Sequence, residues 1–234
     1  MILSFKKEVY MFSSANQLAQ VIDYTIVRPD AALKDLTDAC EYAKKYGFAS
    51  VVVNSSYVAH AHSCLAGSLI KVCAVVGFPH GANTTTVKIF EAMESAKNGA
   101  SELDIAINIG MVKSGRLDFV EIDIKNVIAM TPHKIHKVII EAGNLTPDEI
   151  ALVSKIVARA GAEFIKTSTG YGQRGATTED VRLIKQAVGT LCRIKASGGI
   201  RDLKALTAMV EAGADRIGTS DGPAIMEEYL QKNK

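Results

Sequence analysis

The stretch TPDEIALVSKIVARAGAEFIKTST, Thr146 to Thr169, decides the fold. Thr146 is placed to cap a helix, with Pro147 at its first position and Glu149 three residues after the cap. Gly161 closes that helix, because glycine takes the left-handed conformation that ends one. Directly after Gly161-Ala162 comes EFIKTST (163–169), whose β-branched and aromatic residues read as a short strand. One helix, one glycine stop and one strand therefore follow each other without a linker.

The same unit recurs outward in both directions. LKDLTDACEYAKKYG ends at Gly47, TTTVKIFEAMESAKNGA at Gly99, and TTEDVRLIKQAVG and LKALTAMVEAGA end alike. Eight strand candidates lie between: VIDYTI (21–26), SVVVN (50–54), IKVCAVVGF (70–78), ELDIAIN (102–108), HKVIIEA (136–142), EFIKTST (163–169), CRIKAS (192–197) and DRIGTS (215–220). Most are continuous apolar runs, which suits parallel strands buried on both faces. The pattern predicts one domain over residues 1–234, an α/β (β/α)8 barrel with an extra N-terminal helical segment. A doubly wound sheet would carry a glycine-rich fingerprint after the first strand, and none is there.

Bulk properties narrow the function classes. The 234 residues are 48% hydrophobic and 22% charged, enough for one large core. A net charge of +2 gives no field suited to nucleic acid or a membrane surface. Cys40, Cys64, Cys73 and Cys192 form no CxxC pair, so neither a disulfide framework nor a zinc site is indicated. MILSFKKEVYMF at the N-terminus is broken by Lys6, Lys7 and Glu8, unlike a signal peptide. No run approaches a membrane span. The expectation is a soluble cytoplasmic protein.

In a barrel, chemistry sits at the C-terminal ends of the strands. Lys166 and Lys195 occupy matching places on consecutive strands, which pair about 4.8 Å apart. A like charge and burial both lower a lysine pKa, and a neutral lysine amine attacks carbonyl carbons to form a Schiff base. The bland alternative is two solvated strand-end lysines. Asp104 shares one strand face with Glu102, Ala106 and Asn108. An acid in mid-strand sits better in the barrel interior, where it could move protons beside a lysine or merely neutralise one. The turns SGGIRD (197–202) and GTSDGP (218–223) follow the seventh and eighth strands, where barrels often hold phosphate; plain turn chemistry uses the same residues. His60 and His62 point to different faces of a helix and do not suggest a metal, while His80 at a strand end could line the site.

These segments resemble one family over essentially the whole chain. ELDIAINIG, EFIKTSTGYG with GATTEDV, and RIKASGGIR are similar to three signature segments of the deoxyribose-phosphate aldolase family. IDYTIVRP resembles its first-strand motif and RIGTSDG its last. The resemblance implies a metal-free, cofactor-free class I aldolase on a (β/α)8 barrel. It would cleave 2-deoxy-D-ribose 5-phosphate reversibly to acetaldehyde and D-glyceraldehyde 3-phosphate. Lys166 then matches the Schiff-base lysine. Lys195 matches the second lysine and Asp104 the acid/base aspartate, with Asp23 and Thr25 completing the catalytic set. Thr169, Gly170, Gly198, Gly199, Arg201, Gly218, Ser220 and Asp221 match the substrate and phosphate region.

The chain also departs from the family. Tyr24 stands where a histidine is common, and Arg28 where a lysine is. Some members end on a tyrosine that reaches the site; this sequence ends LQKNK. Asp221 replaces a common phosphate-binding serine. It would either repel phosphate or cap the final helix and face away. Arg174 could restore a positive charge. The competing readings are another Schiff-base barrel aldolase or transaldolase, a non-catalytic phosphosugar-binding barrel, and a metal-dependent isomerase. The expected partners are small phosphosugars and aldehydes and a second copy of the chain, with no nucleic acid and no membrane.

Overall fold

The computed structural model describes residues 11–233. The signal-peptide reading of the N-terminus, as far as it concerns residues 1–10, and the last residue of LQKNK lie outside that range. The eight strands are β1 (Ile22–Ile26), β2 (Ser50–Val53), β3 (Lys71–Val76), β4 (Glu102–Ala106), β5 (Ile135–Ile139), β6 (Phe164–Lys166), β7 (Arg193–Ser197) and β8 (Arg216–Thr219). All neighbours are parallel and β8 pairs with β1, so the sheet closes into a barrel in sequence order. Every strand expected from the sequence is present, with each end within three residues of the expected one; β5 starts one residue early and the others are trimmed.

The helices are α1 (Ala15–Ala19), α2 (Leu33–Tyr46), α3 (Val58–Cys64), α4 (Thr85–Lys97), α5 (Ile109–Lys113), α6 (Leu117–Met130), α7 (Pro147–Arg159), α8 (Thr178–Val188), α9 (Leu203–Glu211) and α10 (Gly222–Lys232). The Thr146 hydroxyl accepts from Glu149 N–H, and the Glu149 carboxylate accepts from Thr146 N–H. The short α1 is the expected extra N-terminal segment, and the Ser14 hydroxyl accepts from Gln17 N–H at its start. The sequence reading had named no helix between β4 and β5, where α5 and α6 lie.

Alternation along the strands sorts the residues into two populations. The outward-facing set, including Val51, Val53, Leu103, Ile105, Ile165, Ile194 and Ile217, packs under the helices in one continuous apolar core. The barrel interior is different. Its apolar part is a small cluster of Val52, Cys73 and Val75. Much of the rest is charged: Asp23, Glu102, Asp104, Lys137, Lys166 and Lys195 are all buried. Barrel interiors are commonly layers of branched aliphatics. An interior full of charges is costly unless each is paired, so these residues mark the centre of interest.

Candidate active site

The pairing of β6 with β7 puts Lys166 opposite Lys195. The ends of the two strands are clasped together. Thr167 N–H donates to the Lys195 carbonyl, and Ser197 N–H donates to the Thr167 hydroxyl. This clasp fixes both lysines on the interior face. Lys166 Nζ lies 2.8 Å and Lys195 Nζ 2.7 Å from the same oxygen, Asp104 Oδ2. The other oxygen, Oδ1, accepts from Lys137 Nζ at 2.8 Å and from the Cys73 thiol at 3.1 Å.

Below this layer the network continues. Lys195 reaches Asp23 Oδ2 at 2.6 Å, and Asp23 Oδ1 accepts from the Ser50 hydroxyl and from Arg216, each at 2.6 Å. Lys137 also sits 2.7 Å from Glu102 Oε2. Four cationic side chains, Lys137, Lys166, Lys195 and Arg216, thus face three carboxylates, Asp23, Glu102 and Asp104. One positive charge is in excess.

The electrostatics say which cation gives way. Burial pushes Lys166 below the ordinary lysine range; Asp104 opposes this and the Lys195 charge adds to it. Burial also works against the charge on Lys195, but Asp104 and Asp23 outweigh it and raise that pKa. Lys137 is raised further, since Asp104, Cys73, Asp23 and Glu102 all favour its charged form over the effect of burial. Burial alone would raise Asp104, yet Lys137, Lys166 and Lys195 hold it well below the usual carboxylate range. Burial keeps the Cys73 thiol protonated, helped by Asp104. Lys166 is therefore the lysine most readily neutral, and it has the nucleophile's form where its two neighbours do not.

Lys166 also faces a cavity. The cavity is about 430 Å³ and opens over the C-terminal ends of β6, β7, β8 and β1. All eight residues matched to substrate binding line it: Thr169, Gly170, Gly198, Gly199, Arg201, Gly218, Ser220 and Asp221. Thr25 lines it as well, with its hydroxyl donating to the Asp23 carbonyl at 2.9 Å. Gly198 and Gly199 have φ of +90° and +79°, a turn that side chains resist. Gly218 is required for packing: a Cβ there would lie 2.9 Å from Ser197 Cβ and 3.1 Å from Lys195 Cε. Phe78 and Tyr171 meet edge to face across the mouth, with the Phe78 ring 6.0 Å from Lys166 Nζ.

Some expectations are corrected. Asp23, expected in the catalytic set, is fully buried beneath Lys195, where it holds that lysine and Arg216. Arg174 supplies no charge to the cavity. It is bound to Asp180 at 2.5 and 2.9 Å and is absent from the cavity wall, because Asp180 caps the start of α8 and draws it away. Asp221 occupies the cap position of α10 but makes no capping hydrogen bond. Its carboxylate accepts from the Ser220 hydroxyl at 3.1 Å and lines the cavity, so it does not face away. His80 lines a smaller adjoining chamber, not the Lys166 cavity. His60 turns to the Thr37 hydroxyl while His62 lies over Gly99, on different sides of α3 as expected.

Lys137, Glu102, Cys73 and Arg216 were missed. None stands at a strand C-terminal end: Glu102 and Arg216 open their strands, and Lys137 and Cys73 lie in mid-strand. One signal was available: Lys137 is a lysine in an apolar strand, the same oddity that singled out Lys166.

A closed parallel barrel with a buried lysine at the wall of a cavity over its strand C-terminal ends is an arrangement suited to an aldolase. The chain belongs to the DeoC/LacD family of aldolases, whose pattern matches residues 17–227. It is 47% identical over 213 residues to a deoxyribose-phosphate aldolase of Geobacillus sp. (strain WCH70), covering 91% of this chain and 96% of the relative. It is 48% identical over 214 residues to one of Streptococcus pneumoniae serotype 19F (strain G54), covering 92% and 97%. Among solved structures, the aldolase QR15 superimposes with a TM-score of 0.90 at 42% identity, over 95% of this chain and 98% of that one. A tetrameric deoxyribose phosphate aldolase from Aeropyrum pernix superimposes at 0.89 with 30% identity, over 94% of each chain. The protein is an aldolase, a carbon–carbon lyase.

Proposed function

We propose that the chain cleaves 2-deoxy-D-ribose 5-phosphate reversibly to acetaldehyde and D-glyceraldehyde 3-phosphate through a Schiff base on Lys166. One arrangement carries the reading: Lys166 and Lys195 share Asp104 Oδ2, and only Lys166 both faces the cavity and is pushed toward neutrality.

The amine of Lys166 attacks C1 of the open-chain sugar, and loss of water gives an iminium. The iminium draws electrons as the C2–C3 bond breaks and the C3 hydroxyl loses its proton. C3 leaves as the aldehyde carbon of glyceraldehyde 3-phosphate, and an enamine remains on Lys166. Protonation at C2 and hydrolysis by one water release acetaldehyde and restore the amine. Asp104 and Lys195 move these protons, because one holds a negative charge and the other a transferable proton on the same hydrogen bond. Asp23 keeps Lys195 charged, and Thr25 shapes the wall between them.

The phosphate rests on backbone N–H groups of Gly170, Gly198, Gly199 and Gly218, with Thr169, Arg201 and Ser220 beside them. The N-terminus of α10 adds its partial positive charge. Asp221 works against this and weakens the preference for phosphorylated over free aldehydes. No bound cofactor or metal enters this scheme. The chain acts as one domain over residues 1–234, in the cytoplasm, in deoxynucleoside catabolism, and pairs with a second copy. These points rest on the family likeness.

The deciding experiment is borohydride trapping with acetaldehyde followed by peptide mass mapping. Label on Lys166, with deoxyribose 5-phosphate split into the two named products, supports the reading. Label on another lysine, or full activity in Lys166→Ala, overturns it.

A further inference from the structure

The two oxygens of Asp104 have different company. Oδ2 receives Lys166 and Lys195, at 2.8 and 2.7 Å. Oδ1 receives the Lys137 ammonium at 2.8 Å and the Cys73 thiol at 3.1 Å. A carboxylate offers about four lone-pair positions. All are taken, so Asp104 accepts a proton only where a donor withdraws.

Neither donor on Oδ1 is placed to withdraw. Cys73 is fully buried beside Val52 and Val75. Lys137 Nζ lies 2.8, 2.7 and 3.1 Å from Asp104 Oδ1, Glu102 Oε2 and the Cys73 sulfur, one acceptor for each of its three N–H bonds. With its sulfur accepting from that ammonium, the thiol turns its hydrogen to Oδ1. The Ala74 carbonyl, 3.9 Å away, is farther and uncharged. Burial keeps the thiol protonated, so it stays a donor. On Oδ2 the case is opposite. The Lys166 nitrogen turns from Asp104 when it bonds to a carbonyl carbon in the cavity it lines. Cys73 does not line that cavity, so it reaches the reaction only through Asp104.

We propose that Asp104 exchanges protons through Oδ2 alone, and that Cys73 is the positioning residue that closes Oδ1. A thiol accepts from Lys137 and donates to Asp104 at once; an alkyl side chain does neither. In the cleavage direction the C3 hydroxyl proton goes to Oδ2 as the C2–C3 bond breaks. A proton returns from Oδ2 to C2 of the enamine, so the carboxylate ends as it began and Cys73 keeps its hydrogen throughout. This role rests on Lys166 being the Schiff-base lysine.

The test compares the full chain with Cys73→Val and Cys73→Ser. In Cys73→Val, Oδ1 loses a donor and the Asp104 charge acts more strongly on Lys166. The midpoint of reductive trapping with acetaldehyde and cyanoborohydride then moves up by about one pH unit. With Oδ1 open to protons, kcat for deoxyribose 5-phosphate falls about tenfold, while KM changes by less than about twofold, since no substrate contact is lost. Cys73→Ser keeps a group that accepts and donates, and holds the wild-type midpoint. A Cys73→Val protein with the wild-type midpoint and kcat overturns the proposal. So does a Cys73→Ser protein that falls as far as Cys73→Val, because packing then explains both. Should Cys73→Val not fold, Cys73→Ala removes the same hydrogen bond and is read in the same way. Peptide mapping of the trapped wild type runs beside these assays. Label on Lys166 with unmoved variants removes only the role of Cys73; label on another lysine removes the Lys166 mechanism and this role with it.

Discussion

Replacing Lys195 by methionine should make Lys166 a poorer nucleophile at neutral pH without touching it. The two ammonium nitrogens lie 2.8 and 2.7 Å from the same Asp104 oxygen, so they are at most the sum, 5.5 Å, apart. At an effective dielectric constant of about 20, two unit charges at that distance repel by about 3 kcal/mol. That energy corresponds to roughly two pKa units. Removing Lys195 also frees Asp104 Oδ2 to serve Lys166 alone, which raises the Lys166 pKa in the same direction. The assay is the rate of reductive trapping with acetaldehyde and cyanoborohydride, followed across a pH series. The midpoint should move up by about two units, and the rate at a pH below both midpoints should fall about 100-fold. Circular dichroism of the variant checks that the barrel is intact. A midpoint that stays in place or moves down would show that Lys195 does not set the state of Lys166.

Lys137→Met should destabilise the protein by ~3–5 kcal/mol, because it leaves the fully buried Asp104 and Glu102 short of a partner; the shift in denaturant midpoint reads this. Asp221→Ser should raise kcat/KM for deoxyribose 5-phosphate about tenfold, since a carboxylate ~5 Å from a phosphate dianion in water-like surroundings repels it by ~1.7 kcal/mol. No gain in that variant would mean that Asp221 turns from the ligand. The pH dependence of stability has a definite sign. Asp23 and Asp104 have folded pKa values below the unfolded one of about 3.9, so their contribution is full above that pH and is lost only as pH falls through the lower folded values. Lys166 gives the same upward slope in the alkaline range, but as a cost relieved: its folded pKa lies below about 10.4, so its charging penalises the fold at lower pH and stability rises with pH between the two. Lys166→Met should flatten that alkaline rise in a melting series.

The sequence by itself determined the barrel, because each αβ joint carries its own chemistry. Thr146, Pro147, Glu149 and Gly161 start and stop one helix through bonds to near neighbours, and such bonds do not depend on the rest of the chain. Alternation within strands likewise made Asp104 an inward residue and put Lys166 beside Lys195. The tertiary structure decided what those residues touch. Which residues stand opposite each other is set only when the barrel closes: Asp104 and Lys137 pair directly across β4 and β5, and Cys73 stands opposite Glu102, one inward position below Asp104. That is how Lys137 and Cys73 come to share Asp104, and a rule based on strand C-terminal ends does not reach these mid-strand residues. Loop residues were the least legible. Arg174 had two possible partners, a phosphate or Asp180, and only the path of the loop after β6 gave it to Asp180. The pairing of Glu141 with Thr169 joins residues 28 positions apart and has no signature along the chain.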